Sequence, residues 1–150
     1  MPVTINGSTG ITTPGETNTG TATISGATII SGATTFNAAI STTSAASSAP
    51  YALTDGTTIT PDFSVRNNFS VTLGGNRTLA NPTNITVGQS GIIYLTQDGT
   101  GSRTLTYGTY WKFPSAIAPT LTTTANATDA LVYFVRTSTS ITVSYLLNIG

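Results

Sequence analysis

The chain contains no cysteine and no histidine. The first absence excludes a disulfide framework, a thiolate nucleophile and a Cys-type zinc site, and it leaves the redox compartment open. The second removes the commonest general base, and with it any Ser-His-Asp or Cys-His arrangement. Charge is nearly as scarce. Only 7% of the 150 residues are charged, five basic and five acidic, for a net charge of zero, where an average soluble domain carries about 25%. Arg66, Arg77, Arg103, Lys112 and Arg136 are too few and too scattered to form the cationic patch that phosphate binding needs, so nucleic acid is not expected as a partner. No run approaches the roughly 18 apolar residues of a membrane helix. The N-terminus shows neither a basic region nor an apolar one, so the expectation is a soluble chain made without Sec-type export and without membrane insertion.

Carboxylates are what remains for chemistry, and the pool is Glu16, Asp55, Asp62, Asp98 and Asp129. A glycosidase needs two of them converging on a sugar ring. Asp55 and Asp98 each precede a glycine, Asp62 follows Pro61, and Asp129 stands where a loop enters a strand. Side-chain capping of turns accounts for all four. Hard cations want clustered carboxylates, and these are dispersed. The expectation is therefore no enzyme, no catalytic residue, no metal and no cofactor.

What is present in quantity is Thr, Ser, Asn, Ala and Gly, with 38% hydrophobic residues. A neutral, hydroxyl-rich surface does little to prevent self-association and suits a protein that works inside an assembly. In residues 1–54 the one charge is Glu16, and strong helix formers are almost missing. Within this zone glycines fall at 20, 26 and 32 and large apolar residues at Ile24, Ile30 and Phe36, a six-residue period. Such hexads occur in β-helical and fibrous structures whose rungs bury an apolar face by stacking. Three hexads are too few to stand alone. The first reading is an extended Gly/Thr/Ala-rich arm, residues 1–50, that neighbouring subunits complete through Ile24, Ile30 and Phe36. The other is a low-complexity linker whose period is chance. Residues 41–50, small and ending in Pro50, read as the linker to a domain over 51–150.

That domain carries the strand signals. Ile141, Val143, Tyr145 and Leu147 alternate with polar residues, which predicts a strand with one buried face. Residues 130–137 (ALVYFVRT) are apolar on both faces, which predicts a central partner strand covered on both sides, joined through Ser138-Thr139. Phe69, Val71 and Leu73 alternate before Gly74-Gly75-Asn76. Residues 91–97 lead through Asp98-Gly99-Thr100-Gly101 to 103–107, a second predicted hairpin. Further strands are expected near 63–66, 77–79, 85–87, 110–113 and 118–124. The expected fold is all-β, an antiparallel β-sandwich of jelly-roll type. One aromatic cluster, Tyr107, Tyr110, Trp111 and Phe113, offers faces on which a sugar could stack. Its competing role, filling the core or a subunit interface, is favoured because the chain has a single Trp.

Residues 53–113, with the segments GGNRTLANP (74–82) and QDGTGSRTLTY (97–107), followed by the strand pair ending at Ile149, resemble a module that recurs at the C-terminal end of tail-fibre-like and other virion proteins of tailed bacteriophages. The opening 32 residues are similar to the N-terminal segments of such proteins. The resemblance implies a virion structural protein, made in the host cytoplasm and placed on the particle surface, and usually a homotrimer. It brings no catalytic residues. Length favours a capsid decoration (cement) protein whose arm binds the major capsid protein. The alternative is a small tail-fibre or receptor-binding protein that docks to tail proteins and touches a host surface glycan. A free carbohydrate-binding module fits less well, since no export signal accompanies it.

Overall fold

A computed structural model describes residues 47–150; Ile24, Ile30 and Phe36 of the expected arm lie outside the described residues. The described chain is nine β-strands and a single 3₁₀ turn at Pro114–Ala116. The strands are β1 Tyr51–Ala52, β2 Thr58–Ile59, β3 Phe69–Leu73, β4 Arg77–Leu79, β5 Ser90–Gln97, β6 Leu105–Tyr107, β7 Trp111–Lys112, β8 Thr128–Thr137 and β9 Ser140–Leu146.

The first six strands alternate between two sheets. β1, β3 and β5 are parallel neighbours in a six-stranded sheet ordered β1-β3-β5-β8-β9-β7, and β2, β4 and β6 form a wholly parallel three-stranded sheet. The chain from Tyr51 to Tyr107 is therefore a two-sided coil of three rungs, each crossing from the large sheet to the small one and back. The antiparallel sandwich expected from the sequence is corrected on this point. The protein is β-rich with mixed sheets, and among the described residues antiparallel pairing is confined to β5-β8 and β8-β9. The predicted hairpin of 91–97 with 103–107 does not form, because β5 pairs with β3 and β8 while β6 leaves for the small sheet. Residues 63–66, 85–87 and 118–124 are irregular, with Phe63 and Leu121 buried all the same.

Register aligns like with like from rung to rung. Ile59, Leu79 and Tyr107 stand in line on the inward side of the small sheet, while Thr58, Thr78 and Thr106 line its outward side, with the hydroxyls of Thr78 and Thr106 2.8 Å apart. On the large sheet Phe69 meets Ile93 and Val71 meets Leu95. With Leu73, Leu131, Tyr133, Val135, Ile141 and Val143 these residues fill one core between the sheets. In strands the side chains alternate between faces, which is how a Thr-rich sequence buries every second residue.

The C-terminal hairpin forms as the alternation predicts, through Ser138-Thr139, with Leu131, Tyr133 and Val135 buried opposite Tyr145, Val143 and Ile141. Two details differ. β9 ends at Leu146, so Leu147 lies beyond the strand and is exposed. β8 is central, but its second face is open toward the hairpin turn, where Val132 is 42% exposed and Phe134 50%, while Ala130 on the same face is buried.

The corners between sheets are tied by side chains. At the β3–β4 corner the Arg77 guanidinium donates twice to Asp55, Nη2 to Oδ2 (2.7 Å) and Nε to Oδ1 (2.8 Å), joining the first rung to the second. At the β5–β6 corner Asp98 accepts from the Thr100 and Gly101 amides and from Arg103 Nη2 (2.7 Å). The buried Gln97 amide closes the same corner on the Arg103 backbone, donating to its carbonyl and accepting from its N–H. The Arg103 hydrogen bonds, helped by the two amides and opposed by partial desolvation, hold the Asp98 carboxyl down at about 2. Its unfolded value is near 3.9. A depressed folded value stabilises the fold above the unfolded value, and that contribution disappears as pH falls through the folded one. The urea midpoint is thus expected to decline between about pH 4 and pH 2, and Asp98→Asn to flatten part of that decline. Chemical denaturation at a series of pH values measures it, and identical profiles for both chains would contradict the role given to this corner.

Candidate functional site

The aromatic cluster falls on the far end of the coil, where β6 leads into β7. β7 lies parallel to β9, with Trp111 opposite Ile141, and this register turns the indole inward. Trp111 is buried, its Nε1 donates to the Ala80 carbonyl (3.0 Å), and its ring meets Phe63 edge-on at 6.3 Å. Tyr107 continues the inward line of Ile59 and Leu79 and packs edge-to-face on Phe113 at 4.7 Å. The Tyr107 hydroxyl is buried without a hydrogen-bond partner, and desolvation, with the negative charge of Asp129, pushes its pKa up. Tyr110 is held by its backbone, donating to Asn81 Oδ1 (2.9 Å) and accepting from the Ile141 N–H (2.9 Å). Trp111 is part of the core, and Tyr107, Tyr110 and Phe113 are half-buried against it. Trp111→Phe, which removes the indole donor and leaves the Ala80 carbonyl unpaired by it, is expected to cost about 1–3 kcal/mol. Urea titration followed by circular dichroism checks this, and an unchanged midpoint would contradict it.

At the opposite end, the first rung leaves an open cleft of about 420 Å³ lined by Tyr51, Leu53, Asp55, Thr58, Asp62 and Val65 among others. Tyr51 is 47% exposed there. An aromatic face, hydroxyls and two carboxylates are the groups with which proteins hold polyhydroxylated ligands. Both carboxylates are already engaged. Asp55 is bound by Arg77 and the Gly74 amide, and Asp62 Oδ1 accepts from the Ser64 amide, the Ser64 hydroxyl and Asn84 Nδ2. These bonds, led by Arg77 for Asp55 and by Asn84 for Asp62, lower both pKa values. A glycosidase requires a carboxylic acid whose pKa is raised so that it can protonate the leaving group. Both carboxylates are biased the opposite way.

Asp129 is distant from this cleft in role as well as in sequence. It is 2% exposed and accepts from the Thr122 amide and hydroxyl and from the Asn148 amide, so it pins two loops to the start of β8. Among the described residues no three His, Cys, Asp or Glu side chains gather as a metal site would require, and no helix is long and apolar enough to cross a membrane. The cleft was not visible in the sequence, since its lining, all within residues 51–65, is brought together by the crossing of the first rung from the large sheet to the small one. The Asp55-Gly56 turn was the one signal there.

Residues 59–136, just over half of the chain, match the family described as Putative phage tail fibre C-terminal domain, and the chain belongs to that family. It is a tailed-phage virion structural protein. No curated protein and no solved structure matches it.

Proposed function

We propose that this protein is a small tail-fibre component, a homotrimer that docks to tail proteins and presents its C-terminal β domain to a host surface glycan. The family match over 59–136 is the observation that carries the reading. It favours the tail over the capsid decoration role that length had put first, because the matched family is one of tail fibres. The open first-rung cleft, with Tyr51 and its ring of hydroxyls, supports a glycan as the ligand class. The tied, ionised carboxylates support binding without hydrolysis. The surface is neutral, so recognition rests on stacking and hydrogen bonds, and it is expected to depend little on salt.

The test is competition. Purified full-length protein, added to host cells before phage that carry it, is expected to slow adsorption in proportion to its concentration, and Tyr51→Ala to weaken that effect. Adsorption unchanged at saturating protein would contradict the receptor-binding part of the reading.

A further inference from the structure

We propose that the outer face of β5, β8 and β9 is the surface on which copies of this chain meet. The inference rests on the homo-oligomer reading above and assigns it a place. Register sets Ile92 beside Val132, Tyr94 beside Ala130 and Ala130 beside Leu146, so apolar side chains run across three adjacent strands on the side away from the core, Ala130 buried and Ile92 and Tyr94 half-buried there. Val132, Phe134 and Leu146 are 42%, 50% and 54% exposed. The β8 sequence has the composition of a strand covered on both faces, and the domain supplies one cover.

Two properties select a second copy as the other. The first is charge. The outward positions of the six-stranded sheet carry no carboxylate, and their two cations, Arg136 and Lys112, stand at one end, where Lys112 already donates to the Thr109 carbonyl. Such a face offers an oppositely charged partner little to recognise, while a copy of itself covers it with almost no charge to desolvate. The second is size. At about 4.8 Å between strands and about 3.3 Å per residue, the outer face of β5, β8 and β9 covers roughly 400 Å² and that of the whole six-stranded sheet roughly 540 Å², half to two thirds of the ~800 Å² per partner of a standard stable interface.

The experiment measures the mass of the full-length chain and of Phe134→Asp and Val87→Asp by sedimentation, with circular dichroism as a check on folding. Val87 is 62% exposed and lies outside the face. The unaltered chain and Val87→Asp are expected to be oligomers and Phe134→Asp a folded monomer. Because the chain has no cysteine, single thiols give a second readout that does not depend on the Asp variant folding. The Val132→Cys thiol is expected to react with maleimide at least ~10-fold more slowly than the Val87→Cys thiol. An oligomer that survives Phe134→Asp, or equal thiol rates in an oligomer, would overturn the assignment of the face and leave the homo-oligomer reading standing. A monomeric unaltered chain would overturn both. If in that monomer the Val132→Cys thiol is still protected, the cover is the chain's own upstream segment.

Discussion

Val143→Asp is expected to unfold the domain, and Thr142→Asp to leave it folded. Val143 is 1% exposed and belongs to the apolar core, opposite Tyr133. An unpaired charge in such a site costs several kcal/mol, comparable with the ~5–15 kcal/mol total stability of a domain. Thr142 is its neighbour on the exposed face, and a surface substitution there is expected to stay within about 0.5 kcal/mol. The comparison is made by circular dichroism and urea midpoint, since Thr142 shares the outer face with Phe134 and a charge there also bears on self-association. Equal tolerance of the two changes would mean that the β8-β9 register is wrong.

Gly91→Ala is the second change expected to be severe, although it adds a single methyl group. Gly91 lies on β5 opposite Tyr133, where the loop before β3 crosses close to the strand. A Cβ at this position would stand 1.8 Å from the Asn67 carbonyl oxygen, 2.7 Å from its carbon and 2.9 Å from the Tyr133 hydroxyl. The obstacle is backbone and cannot swing aside. The same carbonyl accepts the Tyr133 hydroxyl at 2.7 Å, so displacing the loop also breaks the bond that satisfies a buried phenol. A cost of about 3–5 kcal/mol is expected from overpacking together with the lost bond. Thermal unfolding of Gly91→Ala beside Gly99→Ala, where an added Cβ meets nothing within 4 Å, checks it. Similar melting temperatures for the two variants would contradict the close approach.

These two residues also show what the sequence could and could not convey. The Val143 prediction follows from alternation alone, because a period of two in Ile141-Thr142-Val143-Ser144-Tyr145 fixes the buried face whatever the strand pairs with. Gly91 gave no such signal: its constraint comes from Asn67, in another loop, and no local pattern marks a close approach of two backbones. The same division explains the misassigned topology. Strand positions at 69–73, 77–79, 91–97 and the C-terminal pair were legible from apolar periodicity and turn residues. Their direction of pairing was not, because a Gly- or Asp-rich turn that reverses a hairpin and one that carries the chain across to an opposite sheet use the same residues. A fixed repeat length would have exposed the coil, but its rungs are irregular. Tyr51, Phe69 and Ile93 stack at intervals of 18 and 24 residues, and Thr58, Thr78 and Thr106 at 20 and 28. Unequal loops erase the period on which repeat detection depends. The hexads of 20–37 lie outside the described residues, and the described coil is in 51–107, where no period advertised it.

The candidate site divides in the same way. The aromatic cluster was conspicuous as composition, and the inward register of Trp111 and Tyr107 that assigns these rings to the end of the core became available with the pairing of β7 on β9 and β6 on β4. The first-rung cleft draws Tyr51 from β1, Asp55 from the turn after it, Thr58 from β2 and Asp62 from the next loop. Its carboxylates were legible as turn caps, and Asp62 does cap its turn on Ser64. That Asp55 reaches Arg77, 22 residues away, follows from the stacking of rungs and could not be read from spacing.

Membership of a tail-fibre family makes a statement about position on the particle, and position can be seen directly. Antibody raised against the full-length protein, detected with gold on intact virions by electron microscopy, is expected to label the tail and its fibres and leave the head bare. Gold spread evenly over the capsid shell, with an unlabelled tail, would contradict the account and return the protein to the decoration role.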